Sequence, residues 1–317
     1  MRIPALSFLA ALGACASGAP AQEPPPVLVP AIEGDPWVVA RDPDLGPLTD
    51  PRQQPVDFGL WQAADGTWQI WSCIRSTKCG GKTRLFHRWE GKRITDPGWE
   101  PGGIALQADP ALGETAGGLQ APFVLRTGGT FNFFYGDWVR ICLATGGDGK
   151  TFARHRGRDG QPALFQEGDD HNARDPMVLR DGDRFICYYT AHPEKRGAVY
   201  ARTSKDLLTW SGAKIVARGG AAGTGPYSAE CPFVVYHGES KHYYLFRTQR
   251  YGKNAQTTVY RSPDPMDFGI DDDRFRVGTL PVAAPEIVGH EGKTYIAWLL
   301  PSLKGIQIAR LAWVPKG

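Results

Sequence analysis

The residues of this chain best suited to chemistry are three acids, Asp57, Asp175 and Glu230. Each stands at the start of a short apolar run: Asp57-Phe58-Gly59-Leu60-Trp61, Asp175-Pro176-Met177-Val178-Leu179, and Glu230 directly before Cys231-Pro232-Phe233-Val234-Val235. Three carboxyl groups meeting in one pocket repel one another's charge, so at least one should hold its proton near neutral pH. A protonated carboxyl beside an ionised one is the equipment for breaking a glycosidic bond. One gives a proton to the leaving oxygen, and the other attacks the anomeric carbon or activates water. A third can position hydroxyls and tune the donor. Taken singly, an aspartate before such a run is more often a turn cap; the matched placement of three acids favours a shared site.

The elements that would bring them together follow from a repeat. A short polar or Pro-containing start, an apolar strand, a Gly-containing turn and an aromatic strand recur five times, the other two copies beginning at Ala121-Pro122-Phe123-Val124-Leu125 and Pro285-Glu286-Ile287-Val288. With Phe58, Pro122, Pro176, Pro232 and Pro285 as equivalent positions, the spacings are 64, 54, 56 and 53 residues, the length of a four-stranded blade with its loops. Asp-Gly and Gly-Gly turns select hairpins, and hardly any segment carries the 3.6-residue period of a long helix. The expected fold is all-β: a single five-bladed β-propeller of four-stranded antiparallel blades. Its innermost strands line a central channel, and their starts gather at one mouth, which would make the acids converge. Glu286, one residue past Pro285, is offset from that set.

The chain ends and composition bound the rest. Arg2, the apolar run Ile3 to Ala14 and Ala19-Pro20-Ala21 read as an export signal over residues 1–21; Leu12-Gly13-Ala14-Cys15 reads equally as a lipobox cut before Cys15, which would then carry a lipid anchor. Either way the protein is expected to leave the cytoplasm, for the periplasm, the outer membrane as a lipoprotein, or the exterior. Residues 22–36, with Pro24-Pro25-Pro26, suggest an extended linker, so the folded domain is expected over 37–317. No later apolar run is long enough to span a membrane. The 36 basic and 33 acidic residues give a net charge of +3 without long single-sign runs, which argues against nucleic acid as a partner and for a neutral polar one. Cys73 and Cys79 are close enough to close a small disulfide loop, whereas Cys142, Cys187 and Cys231 lie in apolar strand-like text as buried thiols. No zinc-ligand spacing, dinucleotide fingerprint, phosphate loop or nucleophile elbow is present, so no cofactor is required.

Ala173-Arg174-Asp175-Pro176 and Ser228-Ala229-Glu230-Cys231-Pro232 resemble the Arg-Asp-Pro and Glu-Cys-Pro motifs of glycoside hydrolase family 32. More broadly the chain is similar to the five-bladed superfamily that includes family 43. The resemblance implies that Asp57 is nucleophile or general base, Asp175 a transition-state stabiliser and modulator of the donor, and Glu230 the proton donor. By analogy with family 43-like propellers it allows a channel Ca2+, with no ligands assigned. Around the first acid, Gln54-Pro55-Val56-Asp57-Phe58-Gly59 departs from the Asn-Asp-Pro-Asn-Gly-like run of family 32, and the chain lacks room for that family's following β-sandwich. The implied activity is removal of a terminal furanose or pentose-like sugar from an oligo- or polysaccharide. Arg174, His171, Trp61, Trp138, Tyr227 and Arg247 are candidate substrate-binding residues, the aromatic ones as stacking platforms, although each aromatic is individually commoner as core. The rival readings are a carbohydrate-binding propeller without catalysis, and a relative that transfers or phosphorolyses sugars. Phosphorolysis would need a basic anion pocket, for which the sequence offers Arg174 and Arg247.

Overall fold

The computed structural model describes residues 26–168 and 172–316; the expected export signal over 1–21, Cys15 and His171 lie outside the described residues. Five antiparallel sheets form the blades of a propeller. Blade I is Gln54–Gln62, Trp68–Arg75, Leu85–Gly91 and Glu100–Leu106. Blade II is Gln120–Thr127, Thr130–Gly136, Arg140–Gly146 and Ala163–Gln166, with the two-residue strand Ala153–Arg154 paired beside its third strand. Blade III is Arg174–Asp181, Arg184–Ala191, Ala198–Ser204 and Lys214–Arg218. Blade IV is Glu230–His237, His242–Arg250, Gln256–Ser262 and Arg276–Leu280. Among the described residues no helix is long and apolar enough to cross a membrane.

Blade V shows how the ring closes. Its strands Glu286–His290, Lys293–Leu299 and Gly305–Pro315 are completed by Leu28–Arg41, which pairs from Leu28 opposite Pro315 to Arg41 opposite Gly305. The stretch expected as a linker over 22–36 is therefore strand from Leu28 onward. Its prolines misled the reading. An outermost strand leaves one edge unpaired, where a missing N–H costs nothing, and the register shifts between Glu33 and Trp37 let Gly34, Asp35 and Pro36 bulge out of the ladder.

Apolar side chains from neighbouring blades fill the spaces between sheets in three clusters, the largest running through blades II to V. The expected Cys73–Cys79 bridge is absent, for both are free thiols. Cys73 faces the core between blades I and II and donates to the Leu119 carbonyl at 3.3 Å, whereas Cys79 packs toward the cluster shared with blade V. Sequence proximity put them close; strand geometry turned them apart.

One backbone device recurs in every blade. Asp57, Ala121, Asp175, Cys231 and Ala284, the residues directly before the repeat-defining Phe or Pro, all have positive φ, at 38°, 38°, 56°, 45° and 50°. In blades I to IV the pairing register slips at this point, between Val56 and Phe58, Gln120 and Phe123, Arg174 and Met177, and Glu230 and Phe233. A bulge of this kind breaks the strict in-out alternation of a strand. Two successive side chains can then face the axis, which is what the site exploits.

Candidate active site

Because of the bulges, the strand starts present two tiers. The upper tier is Val56, Gln120, Arg174 and Glu230; the lower is Asp57, Ala121, Asp175 and Cys231. Glu230 is thus one residue out of register with the two aspartates, yet all three carboxyls reach the axis. A cavity of about 530 Å3 opens above them, bounded by Asp57, Arg174 and Glu230 together with Arg75, Arg84, Gln120, Trp138, Asn172, His192, Tyr227 and Tyr251. Below, the channel narrows to about 10 Å3 between Asp57, Asp175, Cys231, the inner-strand prolines and Glu286. That is room for about one water, so the site is a blind pocket. Glu286 lies in this throat, where burial pushes its carboxyl well above the usual range, against a hydrogen bond from the Leu60 backbone.

The carboxyls have distinct surroundings. Asp57 accepts through Oδ1 from the Tyr251 hydroxyl at 3.1 Å and from the Cys231 thiol at 3.3 Å. Burial, reinforced by the charge of Asp57, keeps the Tyr251 phenol protonated far above its ordinary range, so it stays a donor. Asp175 is 3% exposed. Its Oδ2 accepts the Cys231 N–H at 3.0 Å and lies 3.8 Å from Arg174 Nε, while its Oδ1 has no partner among the described residues. Burial above all, then the charges of Glu230 and Asp57, raise Asp175 to about 7, against the pull of Arg174 and the Cys231 N–H. Crowding of the carboxyls thus acts on Asp175 in the same direction as burial, which is the larger cause.

Glu230 is ion-paired to Arg174 through Nη2. The same guanidinium donates through Nη1 to the Asn172 carbonyl and to His192 Nδ1, both at 3.0 Å. Burial opposes its charge, but Glu230 and Asp175 outweigh that and hold it firmly charged. Gln120 Oε1 and Asn172 Oδ1 are buried at the cavity without a hydrogen-bond partner among the described residues. Buried acceptors of this sort cost free energy when left empty, and hydroxyl-rich ligands supply the missing donors.

The other expected residues divide. Trp138 lines the cavity, displayed at φ 86° by a loop that Asp137 pins, accepting from the Val139 and Arg140 backbone at 3.1 and 2.7 Å. Tyr227, 66% exposed, stands at the rim, edge-on to His192. Trp61 is not a platform. It is buried against Trp71, Phe133 and Phe152 and donates to the Gly149 carbonyl at 2.8 Å, because its position on the first strand of blade I points into the space between blades. Arg247 does not reach the channel either. It is 1% exposed and donates to the carbonyls of Ser228, Gly219 and Gly223 at 2.8, 3.1 and 3.0 Å, staking the loop that leads to Glu230.

Arg75, Arg84, Gln120, His192 and Tyr251 escaped the sequence reading. Gln120 alone had a signal, since it occupies the place in blade II that Glu230 occupies in blade IV; the rest come from second strands and loops with no shared motif. Among the described residues no group of three or more His, Cys, Asp or Glu is placed to hold a metal ion.

The three carboxyls therefore sit at and just beneath the mouth of a five-bladed channel. No family model matches the chain, and no curated protein matches its sequence. Solved structures do match. The architecture is that of the five-bladed glycoside hydrolases. A thermostable family-43 glycoside hydrolase superposes with a TM-score of 0.59 at 15% identity, covering 85% of this chain and 95% of that one. An exo-1,5-α-L-arabinanase from a bovine ruminal metagenomic library gives 0.59 at 17% identity, covering 81% and 92%. The Bombyx mori family-32 β-fructofuranosidase gives 0.63 at 16% identity and covers 89% of this chain but only 63% of its own. The present chain thus spans less than two thirds of that enzyme.

Proposed function

We propose that this chain is a glycosidase that removes a terminal furanose or pentose-like sugar from a glycan. The observation that carries the reading is the meeting of Asp57, Asp175 and Glu230, from three different blades, at and beneath one blind cavity, with Asp175 raised to about 7. A cavity of about 530 Å3 lies within the range of roughly 300–1,000 Å3 usual for small-ligand sites. Superposable structures include a β-xylosidase and an arabinanase, whose sugars are pentoses.

In this reading Asp57, steadied by Tyr251 and Cys231, is the base or nucleophile, and Glu230 gives the proton to the leaving oxygen. Asp175 lies below the reacting atoms and acts through its charge state: while it is protonated, Glu230 has one fewer like charge beside it. Sugar hydroxyls entering the pocket satisfy Gln120 Oε1 and Asn172 Oδ1 and compete for Arg174, freeing Glu230 to take up and deliver a proton. Trp138 offers a ring face and Tyr227 closes the rim. Export follows from residues 1–21 as a second part of the proposal, with a lipid at Cys15 as its alternative form; the mass of the mature N-terminus separates the two.

The test is a hydrolysis screen of the purified domain against aryl furanosides, aryl pentosides, fructans and plant or marine polysaccharides, with Asp57→Asn and Glu230→Gln alongside. Sugar release by wild type, lost in Asp57→Asn and, for poor leaving groups, in Glu230→Gln, supports the reading. Full activity in either variant removes that residue from the mechanism, and silence of wild type across the panel favours a binding propeller.

A further inference from the structure

Three arginines line the cavity, and among the described residues only Arg174 of the three is ion-paired. Arg75, Arg84 and Arg174 face Asp57 and Glu230 across it. Arg174 is fully occupied by Glu230, Asn172 and His192, but among the described residues Arg75 and Arg84 have no carboxylate within 4 Å. Several other partly buried arginines are matched by an acid, Arg140 by Asp137, Arg154 by Glu114 and Arg218 by Asp271, whereas the buried Arg247 is met by backbone carbonyls.

Arg75 spends Nε and Nη2 on a single acceptor, Gln54 Oε1, at 3.0 and 2.6 Å. Arg84 stacks over the Trp138 ring at 5.0 Å from its centroid, with Lys82 also over that ring at 4.8 Å. A ring face attracts the cation but has no lone pair to receive its N–H donors. Burial opposes the charge on Arg84, and the Cys73 thiol together with Asp57, Asp175 and Glu230, the acids acting from beyond ion-pair distance, outweigh it; the cation that opposes the rise at Asp175 is Arg174. Gln120 Oε1, on the same cavity wall, is also without a donor among the described residues.

We propose that Arg75 and Arg84 bind a carboxylate carried by the glycan, so that the substrate is an acidic, uronate-bearing saccharide. The proposal rests on the glycosidase reading for its chemistry but not for its binding. An arginine fork matches the two oxygens of a carboxylate, and a ligand held this way loses most of its affinity when the charge is removed. The neutral substrate expected from the balanced composition is replaced by an anionic one, since net charge says nothing about which cations are left unpaired in a pocket.

The experiment compares uronate-bearing oligosaccharides from several plant and algal polymers with the same oligosaccharides after reduction of their carboxyls to alcohols, which preserves every other group. Turnover is followed with wild type and binding by calorimetry with Asp57→Asn, each with and without Arg75→Gln or Arg84→Gln, and thermal unfolding checks that the variants fold. The expected result is a preference of tenfold or more for the acidic member, in binding and in kcat/KM, that Arg75→Gln or Arg84→Gln abolishes. Acidic preference in binding with no turnover keeps the carboxylate site and sinks the glycosidase reading. Equal or better use of the reduced members, a preference that survives both arginine substitutions, or no binding of any member overturns the site. Cleavage that requires inorganic phosphate and yields a sugar phosphate also overturns it, because the oxyanion then belongs to the acceptor.

Discussion

Replacing Asp175 by Asn tests the electrostatics at the centre of the site through stability alone. The side chain keeps its shape, and its amide oxygen can still accept the Cys231 N–H that Oδ2 accepts at 3.0 Å. What disappears is a carboxyl raised from 3.8 to about 7 by burial and by the charges of Glu230 and Asp57. A folded-state pKa above the unfolded value means that the folded protein holds a proton the unfolded chain has lost, so wild-type stability falls as pH rises from about 4 to about 7. Each pH unit of displacement is worth about 1.4 kcal/mol, which makes the total on the order of 4 kcal/mol, shared with the coupled carboxyls. The variant should match wild type near pH 4 and exceed it by up to a few kcal/mol at pH 8, while glycosidase activity falls. Urea denaturation of both proteins at pH 4, 5.5, 7 and 8 measures this, because the titrating groups outside the coupled carboxyls contribute alike to the two curves. A stability difference that is flat with pH, or that grows toward acid, would refute the assignment of the retained proton to Asp175.

Tyr251→Phe removes the 3.1 Å hydrogen bond to Asp57 and should lower kcat by roughly tenfold while changing unfolding free energy by about 1 kcal/mol; unchanged kcat would deny Tyr251 a positioning role. Arg247→Met leaves the carbonyls of Gly219, Gly223 and Ser228 without their donor and should cost about 2–4 kcal/mol in chemical denaturation, with KM affected only through the loosened loop; selective loss of kcat with full stability would return Arg247 to the site. Trp61→Ala empties a packed aromatic cluster and should cost about 3–5 kcal/mol, where a surface platform would cost almost none. Alkylation of the unfolded protein without reductant should label both Cys73 and Cys79, since both are free; a linked peptide pair would reverse that.

The reach of the sequence can be traced residue by residue. Turn chemistry and strand alternation are local, so a spacing of 53 to 64 residues between equivalent strand starts was enough to specify five blades, and the geometry of a propeller was enough to gather Asp57, Asp175 and Glu230. Tertiary structure decided what depends on neighbours distant in the chain. Leu28–Arg41 reads as proline-rich linker in isolation and is strand only because Gly305–Pro315 offers it an edge. Trp61 and Arg247 look like site residues until the next blade or loop claims them, whereas Arg75 and Arg84, on a second strand and its following loop, belong to no motif and reach the cavity without an ion-paired acid among the described residues. The repeated positive φ before Phe58 and the four prolines is likewise invisible in composition, yet it turns two successive side chains toward the axis and so places Glu230 and Arg174 above Asp57 and Asp175. Local sequence determines the strands and their count; packing across blades determines which polar groups are satisfied, and the unsatisfied ones define the site.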